Sequence, residues 1–301
     1  MLDKILIFGV GLIGGSFARA LRKAGVARHI VGFERSPVAA ARALELGIVD
    51  AVGDDLAAAM HGADLVLIAA PVAQTETLLA ALLPYLGPDT ALTDAGSTKT
   101  DVAAAARRVL GARAAQFVPG HPIAGRETNG PDAAIDHLYQ GKKTVLTPLA
   151  ENDPALVERV AAAWRACGAV IHFLSPEQHD EVFAAVSHLP HLLAYALVDD
   201  IAAKPHAERL FQYAASGFRD FTRIAGSSPE MWRDISLANQ GALLTELDAY
   251  LAQLQRMRAM LAAGDGPALE AVYAKAQHAR RQWSAAIEAA EAPPTIDSQQ
   301  G

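Results

Sequence analysis

The sequence predicts an α/β fold in which a doubly wound parallel sheet is followed by an all-α C-terminal domain. Three observations predict it: a glycine-rich turn after the first apolar run, alternating strand and helix patterns beyond it, and purely helical periodicity from Ser175 onward. We therefore expect a sheet domain over residues 1–174, a helical domain over 175–292 and a disordered tail over 293–301.

The first elements are a buried strand, Lys4 to Phe8, and a helix, joined by the turn Gly9-Val10-Gly11-Leu12-Ile13-Gly14. In such a turn the first glycine allows a sharp exit from the strand. The second lets backbone amides approach a pyrophosphate, and the third lets the helix pack closely on the sheet. The pattern is typical of a Rossmann-type dinucleotide-binding domain, in which the phosphates lie at the helix N-terminus.

The second strand, His29 to Phe33, supports the same interpretation because it ends on Glu34. That carboxylate is placed to bind the two hydroxyls of an adenosine ribose, which favours NAD as the cofactor. Arg35 could accept the additional phosphate of NADP, so we expect a preference for NAD and not an absolute choice. The predicted cofactor-binding residues of these two turns are Gly9, Gly11, Leu12, Ile13, Gly14, Glu34 and Arg35.

The following elements extend the sheet. After a helix over 39–46, a buried strand over 65–69 runs into Ala70-Pro71, and a strand over 91–94 runs into the turn that contains Ser97. Because the carboxyl ends of parallel strands line the ligand crevice, we expect Ala70, Pro71 and Ser97 to contact the cofactor. Further strands are predicted at 115–118, 143–146 and 169–173, the last two finishing the sheet, with a helix over 154–167 between them.

Two long helices are predicted in the helical domain. One carries leucines at three- and four-residue spacing, and the other begins at Gly266-Pro267 and carries a second apolar stripe. These stripes favour a homodimer interface, and an ordinary intramolecular bundle carries equal weight. The stripes consist of Leu244, Leu247, Leu251, Leu254 and Leu261 in the first helix, and Leu269, Val272, Ala276, Trp283 and Ile287 in the second.

Composition restricts the class of partner. A formal net charge of -7 and the lack of a basic run argue against nucleic acid as a partner. The longest apolar run, 65–73, is too short to span a membrane and the start has no signal-peptide pattern, so we expect no membrane partner and a cytoplasmic protein. Cys167 is expected to be buried in a helix, and no histidines and carboxylates have the spacing of a metal site.

His121 is the first candidate for catalysis. It follows a predicted strand and precedes Pro122, which holds it in an extended conformation, as a general base requires. The alternative is a loop histidine that only forms hydrogen bonds.

Ser97 is expected to cap the helix that follows it and to face the crevice. Lys99 could reach a ligand or equally be solvated. Arg219 and Arg223 could bind an anionic substrate or form surface ion pairs.

The chain resembles the prephenate and arogenate dehydrogenases of tyrosine biosynthesis over nearly its whole length. The resemblance implies that His121 accepts the hydrogen of the ring 4-hydroxyl while hydride passes to the nicotinamide, after which the ring carboxylate leaves as carbon dioxide. It rests on five motifs in a fixed order, namely Gly9 to Ser16, Asp94 to Lys99, Gly120 to Gly125, Ser187-His188-Leu189-Pro190-His191, and Asp220 to Ala225.

The same resemblance implies further site residues. Ser97 would orient the histidine and the hydroxyl, Arg223 would bind a substrate carboxylate and His191 would contact the pyruvyl side chain, with Ser187, Glu127 and Trp232 also at the substrate site. Arg126 departs from the family pattern beside Glu127, which puts the entrance to the site in question. The motifs do not distinguish prephenate from arogenate as the substrate. They also do not decide whether tyrosine inhibits the enzyme.

Two other functions remain open from the sequence. A β-hydroxyacid dehydrogenase of related two-domain architecture would be expected to carry a lysine base on the first long helix after the sheet, where this chain has Ser187 to His191. A nucleotide-binding sensor that has lost catalysis would keep the sheet domain alone as its functional part. Reduction of NAD in the presence of prephenate distinguishes both from a dehydrogenase of the resembled family.

Overall fold

The sheet of the first domain has six parallel strands, and it is followed in the chain by helices. The computed structural model describes residues 1–291, and the side chains of residues 1–286. The predicted tail, 293–301, and the side chain of Ile287 therefore lie outside the described residues. The described residues divide into two compact units, residues 1–244 and the part of the chain that follows them.

The six strands lie in the Rossmann order. They are Leu2–Phe8 (β1), Ala27–Phe33 (β2), Ala51–Val52 (β3), Leu65–Ile68 (β4), Ala91–Asp94 (β5) and Phe117–Val118 (β6). The order across the sheet is β3-β2-β1-β4-β5-β6, and all pairs are parallel. Strand order reverses between β1 and β4, which is where a ligand crevice opens at the carboxyl ends of the strands. The predicted fold class is confirmed.

Thirteen α-helices occur in the described residues. They are Leu12–Lys23 (α1), Pro37–Glu45 (α2), Leu56–Met60 (α3), Thr75–Leu82 (α4), Thr100–Leu110 (α5), Pro154–Ala166 (α6), Pro176–Phe183 (α7), Leu189–Ala202 (α8), Ala207–Gln212 (α9), Ser216–Thr222 (α10), Pro229–Ala238 (α11), Gln240–Ala263 (α12) and Gly266–Glu291 (α13). Residues 184–188 form a π-helical turn between α7 and α8.

The apolar pattern of the strands explains their burial. Ile5, Leu6 and Ile7 in β1 and the whole of β4 are buried, because helices cover both faces of the sheet. On one face Phe17 of α1 packs on Trp164 of α6, with ring centroids 4.5 Å apart. Cys167 is buried next to the end of α6, as expected, and this burial raises the pKa of its thiol.

The last predicted strands do not finish the main sheet, so that prediction is wrong. Gly120–Pro122 (β7), Lys143–Leu146 (β8) and Val170–Phe173 (β9) form a separate three-stranded sheet, with β7 antiparallel to β8. Pro119 has no N–H to continue the ladder of β6, and its carbonyl accepts from Thr147 N at 2.9 Å, which turns the chain towards β8.

The strand predicted over 115–118 is also too long. Ala115 and Gln116 lie in a 3₁₀ helix, Gly111–Gln116, because the Gln116 amide donates to the carbonyls of Gly87 and Thr90 at 2.8 Å each. Beyond residue 173 the described part of the chain is helical, as predicted.

One helical stretch in the described residues has the length and apolar composition that a membrane span would need. It covers 176–202, that is α7, the π-helical turn and α8. The longest run of apolar residues in the sequence did not reveal it, because Asp180 and several histidines interrupt the stretch. His179, Asp180 and His188 are buried within it, and they belong to a polar network of unit 1.

Candidate active site

A cleft lies at the carboxyl ends of β1, β2 and β4. Its volume is about 400 Å³, and Gly9, Gly11, Glu34, Arg35, Ala70 and Pro71 are among the residues that line it. Helix α11 packs beside residues 72–74 at the edge of the cleft. The structure therefore brings these predicted cofactor-binding residues to one crevice.

The turn before α1 has the geometry of a phosphate cradle. Gly9 has φ +89°, and a Cβ there would lie 2.6 Å from the Ala69 carbonyl oxygen. By contrast, a Cβ on Gly11 would have Gly130 N, at 3.9 Å, as its nearest neighbour, so that Gly11 faces open space. Helix α1 begins directly after Gly11, and its first amides favour an anion there.

Glu34 is fixed at the end of β2. Its carboxylate accepts hydrogen bonds from Val10 N at 3.1 Å and Ser36 N at 3.4 Å. The bond to Val10 holds the carboxylate next to the glycine turn. A dinucleotide whose pyrophosphate lies over Gly11 would bring its adenosine ribose to this carboxylate, so that the residues present fit NAD.

His121 lies in β7 and is joined to a buried chain of polar groups. His121 Nδ1 is 2.8 Å from His179 Nε2, and His179 Nδ1 is 2.8 Å from Asp180 Oδ1. The ionised carboxylate accepts only, so His179 carries its proton on Nδ1 and its Nε2 is an acceptor. His121 then donates through Nδ1, which leaves its Nε2 with a lone pair that can accept hydrogen from a substrate.

Both histidines are held neutral by their surroundings. Burial lowers the pKa of His121 well below its usual value of 6.5, and electrostatic repulsion between its protonated form and His179, Lys99 and His188 lowers the pKa further. Burial also lowers the pKa of His179, although the hydrogen bond to Asp180 opposes this. At neutral pH His121 is therefore ready to act as a base.

Asp180 ties this chain to the start of α5. Its carboxylate accepts from Lys99 N at 2.9 Å and from Thr100 N at 2.8 Å. The prediction that Ser97 caps α5 is therefore wrong: Lys99 is the N-cap residue, and Asp180 satisfies the first amides from a distant part of the chain. Ser97 is partly exposed in the turn before α5, and its backbone carbonyl lies next to the ring of His188.

Lys99 is not a solvated lysine, because its side chain is fully buried in an ion pair with Asp94. Asp94 ends β5, and its carboxylate also accepts from Gly96 N at 2.8 Å and Gly120 N at 3.0 Å. The ion pair therefore connects β5, the turn that contains Ser97 and the residue before His121.

A second cluster of aromatic and histidine rings lies on the π-helical turn, α8 and α11. His191 stacks on Trp232 with ring centroids 3.5 Å apart, and its Nδ1 donates to the Ser187 carbonyl at 2.9 Å. His188 lies edge-on to Trp232 at 6.1 Å and is 3.1 Å from the amide of Asn239, measured from its Nδ1. That amide also donates to the Asp180 carbonyl at 2.8 Å, which links the two clusters.

Arg223 forms an ion pair with Glu127 at 2.8 Å, and both side chains are more than half exposed. Arg223 is also close enough to His191 to lower the pKa of that ring, although burial is the larger cause. Arg219 does not join this group, since its side chain is 79% exposed and its nearest acid, Asp220, lies at 3.9 Å. Of the two arginines, only Arg223 is thus placed beside the other predicted substrate residues.

Sequence reasoning missed three residues of this network: His179, Asp180 and Asn239. The adjacent pair His179-Asp180 follows the N-terminus of α7, where Ser175 and Gln178 form a capping box. That position alone does not distinguish a catalytic pair from a solvated first turn. The contact with His121, 58 residues away, is decided only when α7 packs beside β7.

Comparisons with known proteins find similarity over most of the chain. Two family descriptions match the chain: "Prephenate dehydrogenase, nucleotide-binding domain" over residues 17–173, and "Prephenate dehydrogenase, dimerization domain" over residues 175–275. The chain is similar to the cyclohexadienyl dehydrogenase of Zymomonas mobilis, with 38% identity over 92% of this chain and 94% of that protein.

Two solved structures extend the similarity. The prephenate dehydrogenase of A. aeolicus, in complex with hydroxyphenyl propionate and NAD+, is 36% identical, covers 94% of this chain and 98% of that one, and has a TM-score of 0.88. The arogenate dehydrogenase of Synechocystis is 30% identical, covers 93% of this chain and 99% of that one, and has a TM-score of 0.78.

Proposed function

This chain belongs to the prephenate dehydrogenase family, and we propose that His121 is the base in its reaction, the NAD-dependent oxidative decarboxylation of prephenate. The product is 4-hydroxyphenylpyruvate, a precursor of tyrosine. The single observation that supports the role of His121 is the direction of the hydrogen bonds from Asp180 through His179, which leaves His121 Nε2 as an acceptor.

The residues of the site have separate tasks in the reaction. NAD, when bound, accepts the hydride that leaves the carbon bearing the ring hydroxyl. His121 Nε2 takes the proton of that hydroxyl as the C–O bond becomes a carbonyl. The departing carboxylate leaves its electron pair to the ring, which becomes an aromatic phenolate, and His121 returns the proton to the phenolate oxygen. Because His121 is neutral at physiological pH, no proton has to leave it before it can act.

The remaining predicted residues would bind and orient the substrate. Arg223 presents a guanidinium fork for a carboxylate, and its exposed pair with Glu127 leaves it accessible. His191, stacked on Trp232 and anchored to the Ser187 carbonyl, would meet the pyruvyl side chain. Ser97 would orient the reacting hydroxyl beside His121.

Replacing His121 by asparagine tests the proposal, because asparagine keeps a polar side chain of similar reach and removes the base. Turnover should fall by about 10² to 10⁴-fold with the Michaelis constants nearly unchanged. The wild-type enzyme should lose activity only as pH falls well below 6.5, since the pKa of His121 is lowered, and this acid limb should vanish in His121→Asn.

His137 is the matched control, because its side chain is 67% exposed. His137→Asn should keep both turnover and the acid limb. Normal turnover in His121→Asn, or an acid limb that persists there, would transfer the role of base to His188 or His191.

We further propose that prephenate and arogenate compete for this site, since they differ only in a keto or amino group on the side chain. The similarity to both a cyclohexadienyl and an arogenate dehydrogenase supports this. Measuring kcat/KM for the two substrates decides the preference, and the same assay with tyrosine tests inhibition.

A homodimer formed through the helical region is the proposed assembly. The match of residues 175–275 to a dimerization domain supports it, as do the exposed leucines of α12. For location we propose the cytoplasm. The apolar stretch over 176–202 carries the buried groups His179, Asp180 and His188 of the site, which suits a core segment better than a membrane span.

A further inference from the structure

The ion pair of Lys99 and Asp94 is the most deeply buried charged group beside the site. The two side chains are 0% and 1% exposed. A buried ion pair is costly to desolvate, and an apolar pair of similar volume is often as stable or more so. A contribution to folding stability therefore does not explain why this ion pair is present. Its position beside the backbone that leads to His121 suggests another role.

We propose that Lys99 is a positioning residue for His121: it holds the backbone before the histidine in place through Asp94, and it places a positive charge in the surroundings of the histidine ring. This inference rests on the proposed role of His121 as the base. Lys99 itself touches neither substrate nor cofactor in the proposal, and it acts only through its neighbours.

The positioning follows from two sets of hydrogen bonds. The Lys99 side chain binds one oxygen of the Asp94 carboxylate, and the other oxygen accepts from Gly120 N at 3.0 Å, directly before His121. The Lys99 backbone N–H donates to Asp180 Oδ1 at 2.9 Å, the same oxygen that binds His179. Lys99 thus connects to the backbone before His121 and to the carboxylate that orients its partner ring.

The charge of Lys99 has a second effect. The titratable and charged groups around His121 are Asp94 at the end of β5, Lys99 at the N-cap of α5, His179 and Asp180 on α7, and His188 in the π-helical turn. Asp180 is already satisfied by two amides and His179. After burial and His179, the Lys99 ammonium is the next cause that lowers the pKa of His121, because a nearby cation disfavours a second positive charge.

Lys99→Gln tests the proposal, because the glutamine amide can still donate to Asp94 while the positive charge is lost. The acid limb of kcat/KM should move to higher pH by about one unit, since the imidazolium of His121 is no longer opposed by a cation. Lys99→Arg keeps the charge and should keep the acid limb where the wild type has it. Lys23→Met removes a cation that is 64% exposed, and should change nothing.

A residue with a purely structural role would lower kcat or stability without moving the acid limb. An unmoved limb in a folded Lys99→Gln enzyme would overturn this inference alone. A limb that persists in His121→Asn would overturn the role of His121 and this inference with it. Should Lys99→Gln not fold, Lys99→Arg decides: an unchanged limb supports the inference, and a limb displaced by about half a pH unit or more contradicts it.

Discussion

At the scale of single residues, the direction of hydrogen bonds separates histidines that are equivalent in the sequence. His121, His179 and His188 all have a lowered pKa, with burial as the largest cause. Of the three, only His179 has a carboxylate at Nδ1, which fixes the proton of His179 on that nitrogen. His179 Nε2 therefore accepts from His121 Nδ1, and His121 Nε2 is left as an acceptor. His188 instead has an amide at Nδ1, from Asn239, so that its Nδ1 accepts and its Nε2 carries the proton.

Arg223 is expected to bind the substrate through one ion pair, between its guanidinium group and a substrate carboxylate. Its side chain is 60% exposed, so a bond to a substrate carboxylate should contribute about 1.5–3 kcal/mol. Arg223→Ala should therefore raise the KM for prephenate on the order of 10- to 100-fold and leave the affinity for NAD unchanged. Steady-state kinetics and NAD titration measure the two effects.

Arg219 is the matched control for Arg223, since it lies one helical turn earlier and is 79% exposed. Arg219→Ala should have the KM of the wild type. The assignment of the carboxylate to Arg223 fails if its alanine variant keeps a normal KM, or if both variants lose affinity equally.

At the scale of elements, the turn between β1 and α1 separates glycines needed for packing from a glycine needed for the ligand. A Cβ on Gly14 would overlap the Gly9 carbonyl oxygen and lie 2.8 Å from Ile7 Cγ2, whereas a Cβ on Gly11 would meet open space. Gly11 also has a negative φ of −85°, so it does not occupy the left-handed region that favours glycine.

Alanine at these two positions should therefore give opposite results. The free energy of unfolding of Gly11→Ala should lie within about 1 kcal/mol of that of the wild type, because the new methyl group displaces nothing in the protein. Its Kd for NAD should rise on the order of tenfold or more, because the methyl group occupies the space over the turn where the pyrophosphate belongs. Gly14→Ala should lose about 1–3 kcal/mol of folding free energy.

Denaturant unfolding and calorimetric titration with NAD measure these effects. Unchanged NAD affinity in Gly11→Ala would show that the cofactor lies elsewhere. A Gly14→Ala protein as stable as the wild type would show that α1 can shift without cost.

At the scale of the whole molecule, several leucines of the apolar stripe of α12 are exposed in the part of the chain that the structure describes. Leu251, Leu254 and Leu261 are 45%, 43% and 63% exposed. Such a row of leucines is costly to leave in water, and a second copy of the chain would bury it. Leu254→Lys should therefore convert the proposed dimer into a monomer of 31.7 kDa, as measured by light scattering after gel filtration.

The matched control is Leu44→Lys on α2, a leucine that is 46% exposed outside the helical region. This variant should keep the mass of the dimer. A Leu254→Lys protein with the mass of the wild type would place the interface on another surface.

Local sequence patterns are sufficient to predict the elements that depend on neighbouring residues. The structure confirms four such features: the glycine turn, the spacing to Glu34, the buried strands β1 and β4, and the helical periodicity beyond residue 173. Each of them depends on residues that are close in the sequence. Five motifs in order also identified the family, because a family pattern is itself a property of the sequence.

Contacts between residues that are far apart in the chain depend on how the helices and strands pack. Three contacts could not be recognised from the local sequence pattern. They are the pairing of β7 with β8, the burial of Lys99 against Asp94, and the contact of His121 with His179. A lysine in a first turn and an adjacent His-Asp pair are usually solvated. They become part of a site here because α7 packs beside α5 and β7, which removes water from these groups, so that Lys99, His179 and Asp180 bond to partners within the protein.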